Sequence, residues 1–138
     1  MKTVKRALAL VLALTLLLAM SATVFTADDT TYTITINNTT TGHTYEAYQI
    51  FAGDLAEKDG KTILSNITWG NGITEAGKTT LGDAAKKAET LKTADDAAAF
   101  AKAVAPYLQN PTTSVEGTGK YTISGLKAGY YLVKDTQE

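Results

Sequence analysis

Hydrophobic positions follow three regimes along this chain: a block at the start, a period of two in much of the remainder, and a helical period in the middle. Tyr32-Thr33-Ile34-Thr35-Ile36 alternates apolar and polar residues and is rich in β-branched and aromatic side chains, which predicts a half-buried strand. Asn37-Asn38-Thr39-Thr40-Thr41-Gly42 is a turn cluster. His43 to Phe51 reads as a second strand, with imperfect alternation because Glu46 and Gln49 fall on opposite faces. The expected unit is an antiparallel pair joined by the Asn/Thr/Gly loop. Gly53-Asp54 and Asp59-Gly60 punctuate a second loop, Ile63 to Trp69 forms another strand, and Gly70-Asn71-Gly72 turns the chain.

The middle changes period. Leu81, Ala84, Ala85, Ala88 and Leu91 share one face of an amphipathic helix, with Lys86, Lys87 and Glu89 off it. Thr93-Ala94-Asp95-Asp96 resembles a capping box with Asp in place of Glu or Gln, so a second helix is expected to start there. Its buried stripe is Ala97, Phe100, Ala101, Val104, Tyr107 and Leu108. Pro106 should loosen its last turn, and Asn110-Pro111 ends it. Alternation then returns at Tyr121–Ser124 and at Tyr130–Lys134, with Gly125–Gly129 as the turn between them. The order is β–αα–β: a mainly β fold with a helical insertion at about 76–109.

The block at the start has a different meaning. Lys2, Lys5 and Arg6 precede an apolar stretch from Ala7 to Met20, and Ser21-Ala22-Thr23 follows. This is the layout of a secretory signal peptide, assigned to residues 1–27. Its apolar part is shorter than the roughly 20 residues that cross a bilayer core. The protein is therefore expected to be secreted and to meet the membrane only during export. Residues 28–138 carry ten lysines, no arginine and fourteen acids, a net charge of −4. That balance argues against a nucleic-acid partner and against a polybasic membrane surface.

Candidate chemistry is sparse. With no cysteine, disulfides, thiolate metal sites and a cysteine nucleophile are excluded. His43 is the sole histidine, and its Thr/Gly surroundings predict a structural or exposed residue at a turn. Asp54, Glu57 and Asp59 lack the spacing of a calcium loop, and Gly117-Thr118-Gly119 is not a phosphate loop, because no Gly-Lys-Ser/Thr follows it and no helix is expected to begin there. Trp69 is expected to be a buried strand residue, not a sugar platform. Sequons at Asn37, Asn38 and Asn66 matter only in a glycosylating pathway. No catalytic, cofactor-binding or metal-binding residue is assigned, no cofactor is expected, and the chain is not expected to be an enzyme.

Three segments carry a family resemblance: Gly42 to Leu55 (GHTYEAYQIFAGDL), Leu64 to Gly72 (LSNITWGNG), and Gly125 to Asp135 (GLKAGYYLVKD). Together they resemble the N-terminal domain of Gram-positive, sortase-assembled pilin backbone subunits of the isopeptide-forming type. The resemblance implies an immunoglobulin-like, Cna-B-type β-sandwich with inserted helices. Residues 28–138 would be an N-terminal pilin domain cut short at its C-terminus. It also implies a covalently assembled cell-wall pilus that supports adhesion, whose partners are other pilin subunits, a sortase and a host-surface ligand. The sorting signal and the pilin-motif lysine are absent from this sequence, so sortase assembly would work through parts of the protein not included in it. Asp135 matches the acid of the family's E-box, whereas the lysine of the first strand has no counterpart between Tyr32 and Asn38. No isopeptide bond is therefore expected within this segment. Adjacent strand residues point to opposite faces, so Lys134 and Asp135 are not a reacting pair. The alternative function is a ligand-binding module on a non-polymerising, cell-wall-anchored adhesin.

Overall fold

One long strand organises the molecule, because both of its faces are apolar. A computed structural model describes residues 31–137, and the leader expected at 1–27 lies outside the described residues. The elements are β1 (Tyr32–Asn37), β2 (Tyr45–Lys58), β3 (Lys61–Trp69), α1 (Glu75–Leu81), α2 (Ala84–Glu89) and α3 (Ala94–Val104). A 3₁₀ turn (Ala105–Tyr107), β4 (Thr112–Thr113), β5 (Val115–Gly117), β6 (Lys120–Leu126) and β7 (Gly129–Asp135) follow. The fold is mainly β, in two antiparallel sheets. In the inner sheet β2 pairs with β3, β4 and β7; the outer sheet has the order β1-β6-β5.

The expected β1–β2 hairpin does not form. β1 pairs instead with β6, with Ile34 opposite Ile123 and Ile36 opposite Tyr121. The physical reason lies in the faces. β1 is apolar on one side only and matches the one-sided β6, whose Tyr121, Ile123 and Leu126 are buried. β2 buries Tyr45 and Ala47 on one side and Tyr48, Ile50 and Phe51 on the other, so it needs cover on both. The Asn/Thr/Gly loop therefore carries the chain from one sheet to the other.

The irregular alternation in β2 has a structural cause. Gln49 lies opposite Tyr131 and Phe51 opposite Tyr130, so one residue of β2 is extra at this point. This bulge puts Ile50 and Phe51, both essentially unexposed, into the same core. Gly53-Asp54 is part of β2, not a loop. The actual turn is Asp59-Gly60, where φ values of 53° and 77° fit the two-residue hairpin turn that matches strand twist.

Two cores result. Tyr45, Ala47, Tyr131 and Val133 of the inner sheet meet Tyr121, Ile123 and Leu126 of the outer sheet, with Ile34 and Ile36 at the margin. On the other face of the inner sheet, Tyr48, Ile50, Phe51 and Leu132 meet Ile73, Ala84, Phe100, Ala101 and Val104 from the helical segment. Leu81, Leu91, Tyr107 and Leu108 are only partly buried at its edge.

The helical insertion contains three helices and a 3₁₀ turn, not a pair of helices. The stripe expected from Leu81 to Leu91 is broken after Leu81: Gly82, at φ 90°, ends α1, and Asp83 accepts from the Lys86 N–H to start α2. The capping box at Thr93–Asp96 is present in both directions. α3 ends at Val104, and Pro106 sits in the 3₁₀ turn that follows, as its position predicted. β4 and β5 are too short and too polar to have been legible.

Candidate functional site

The three segments that carry the pilin resemblance lie up to about ninety residues apart in sequence, yet they form neighbouring strands. Gly42–Leu55 supplies most of β2. Leu64–Gly72 supplies β3 and the turn beyond it, with Phe51 opposite Trp69. Gly125–Asp135 supplies β7, running from Tyr45 opposite Asp135 to Ala52 opposite Gly129. Gly53, Gly70, Gly72 and Gly129 within them share one reason, a close approach of backbone. A Cβ on Gly72 would stand 2.6 Å from the Gln49 nitrogen, and one on Gly129 would stand 2.5 Å from the Phe51 carbonyl oxygen. A Cβ on Gly70 would meet the Gln49 carbonyl oxygen in the same way. The chain thus closes around the bulge of β2 from both sides with bare backbone.

At the other end of β2 the structure joins two residues that sequence reasoning left separate. His43 Nδ1 lies 2.8 Å from Asp135 Oδ2, with both side chains largely covered. The Gln137 N–H donates to the other Asp135 oxygen at 2.9 Å. The His43 ring stacks on Tyr45 and meets Tyr121 edge-on. Tyr121 donates to the Thr40 carbonyl at 2.6 Å and accepts from the His43 N–H at 3.1 Å. The cluster ties the sheet-crossing loop to β6 of the outer sheet and to the end of β7. A spacing of 92 residues hid the His43–Asp135 pair; only the pairing of β2 with β7 brings it together.

The remaining candidates take structural places. Trp69 is half-buried, stacks on Phe51 and donates from Nε1 to the Gly82 carbonyl at 2.8 Å. Asp54 accepts from Asn66 Nδ2, and Glu57 from the Thr62 hydroxyl, along the β2–β3 hairpin. Asn38 donates to the Tyr45 hydroxyl, and Asn37 is exposed at the end of β1. Thr118-Gly119 is the turn of the β5–β6 hairpin. Lys134 is exposed and Asp135 half-buried, as opposite faces require. Among the described residues no group of three His, Cys, Asp or Glu side chains could hold a metal ion.

Burial raises the Tyr130 hydroxyl above its ordinary value, and two other tyrosines are shifted to about 12. Burial, then the hydrogen bond to Glu46 and its charge, pushes the Tyr48 hydroxyl up to about 12. Burial also pushes Tyr131 up to about 12, and its hydroxyl donates to the Lys127 carbonyl at 2.7 Å. Both hydroxyls stay protonated at neutral pH and act as fixed donors, Tyr48 to Glu46 on its own strand and Tyr131 to the turn before β7. A cleft of about 110 Å³ beside Tyr131 is lined by Gln49, Asn71, Asn110, Thr112 and Lys127 among others. Gln49 is engaged on both sides, accepting from the Asn71 N–H and donating to the Ala128 carbonyl.

Comparison with protein-family models, characterised proteins and solved structures finds no match for the chain.

Proposed function

We propose that this chain provides a structural domain of a covalently assembled cell-surface pilus, exported by its leader and serving adhesion. The observation that supports this is the convergence of the three pilin-like segments on β2, where they share one sheet and one set of close backbone contacts. The two facing sheets with helices on one face also agree with the immunoglobulin-like, Cna-B-type sandwich that the resemblance implies. In this reading the side chains of the domain bear load and shape. Chain joining is the work of a sortase, acting through a sorting signal and an acceptor lysine elsewhere in the subunit.

Immunogold labelling of the producing cells with antibodies raised against residues 31–137 tests the proposal. Gold spaced along the length of surface fibres is expected. Gold confined to the cell wall, with no labelled fibres, would contradict it and favour the non-polymerising adhesin.

A further inference from the structure

We propose that Asn71–Gly72 is a site of spontaneous modification that the fold holds closed and that unfolding opens. It is the sole Asn-Gly pair in the sequence. In an open chain such a pair is prone to deamidation, because glycine leaves the amide nitrogen after the asparagine unhindered. The Gly72 nitrogen attacks the Asn71 side-chain carbonyl carbon, losing its proton to solvent. Ammonia leaves, and a five-membered succinimide forms. Water then opens the ring to aspartate or isoaspartate. Water is the only co-reactant, and nothing is oxidised or reduced.

The native turn withholds the nucleophile. The Gly72 N–H donates to the Gln49 carbonyl at 2.9 Å, and Gly72 is buried against β2. The Gly72 carbonyl accepts from the Gln109 N–H at 2.9 Å. On the other side of the reacting bond, the Asn71 N–H donates to Gln49 Oε1 at 3.3 Å. The Asn71 carbonyl accepts from Gln109 Nε2 at 3.4 Å and from Asn110 Nδ2 at 3.2 Å. Turning the Gly72 nitrogen toward the Asn71 side chain requires rotation of this peptide and loss of these bonds together. The Asn71 residue itself is exposed, so access is not what protects it. The block is conformational.

Reaction would leave a permanent mark. Isoaspartate routes the main chain through an added carbon and places a carboxylate beside Gln49, Gln109 and Asn110. The turn between β3 and α1 could not then re-form its bonds, and helical segment and sheet would lose their shared anchor. Time spent unfolded becomes irreversible damage.

The test holds the purified protein at neutral pH with and without unfolding urea and follows deamidation at residue 71 by peptide mass spectrometry. Deamidation is expected to be roughly tenfold or more slower in the folded protein, with the Gly72 amide protected from hydrogen exchange. Refolding yield on dilution should fall with time in urea for the natural sequence. It should hold for Asn71→Ala, which keeps the backbone groups that anchor the turn. Equal deamidation rates with and without urea, an unprotected Gly72 amide, or the same loss of refolding in Asn71→Ala would each overturn the proposal.

Discussion

Phe51 sits in an aromatic stack that joins three elements. Its ring lies 5.1 Å from Trp69 on β3, 5.5 Å from Phe100 on α3 and 5.6 Å from Tyr130 on β7, measured between centroids. Phe100 is 8% exposed, so Phe100→Ala removes a ring enclosed by this stack. A loss of about 3–5 kcal/mol is expected in urea unfolding, with a loss below about 1 kcal/mol contradicting the packing described. The tyrosines set the alkaline limit. The unfolded state releases the Tyr48 and Tyr131 protons near the ordinary value of 10.0, whereas the folded state keeps them to about 12. Their contribution to stability is complete below pH 10 and is lost as pH rises through 12. Melting temperature should fall across that window, and less steeply in Tyr48→Phe. Burial of Phe100 and Val104 was legible from helical spacing. The His43–Asp135 pair was not, because neighbours across strands depend on register.

Among the elements, α3 has the clearest local cause. Thr93 accepts from the Asp96 N–H, and the Asp96 carboxylate accepts from the Lys92 and Thr93 N–H groups. Thr93→Ala should cost about 1 kcal/mol in urea unfolding. The Lys92 backbone bond, followed by those of Thr93, holds the Asp96 carboxyl below the ordinary carboxylate range. Its contribution is therefore present at neutral pH and lost as pH falls through that lowered value. Far-ultraviolet circular dichroism of Asp96→Asn should show less acid-induced loss of helix between neutral pH and the carboxylate range than the natural protein. The capping box was readable because its groups are three residues apart. The break between α1 and α2 was harder, since Leu81 and Ala84 keep the helical spacing across Gly82-Asp83. Strand positions were legible from alternation, but strand partners were not. The β1–β6 pairing follows from which faces are apolar, a property of both strands together.

At the scale of the molecule, helices, inner sheet and outer sheet form three layers, and β2 contributes to both cores between them. The mainly β character and the helical insertion follow from hydrophobic period alone, but their stacking does not. Two cores require one strand with two apolar faces, and the bulge at Ile50 obscured that pattern. The arrangement also bears on covalent chemistry. Asp135 is engaged by His43 and by the Gln137 N–H, β1 has no lysine, and Lys134 lies on the opposite face. The intact mass of residues 31–137 should equal the sequence mass, with no loss of ammonia from a Lys–Asn bond. A mass lower by one ammonia, with a cross-linked peptide pair mapped inside the segment, would show that the strand placement is wrong.

The proposed function places this domain in a covalently polymerised fibre. Immunoblotting of boiled, detergent-treated cell-wall extracts with antibodies against residues 31–137 tests it most directly. A ladder of high-mass species is expected, collapsing to one band when the cell's pilus-assembling sortase is deleted. A single band in both strains would contradict it.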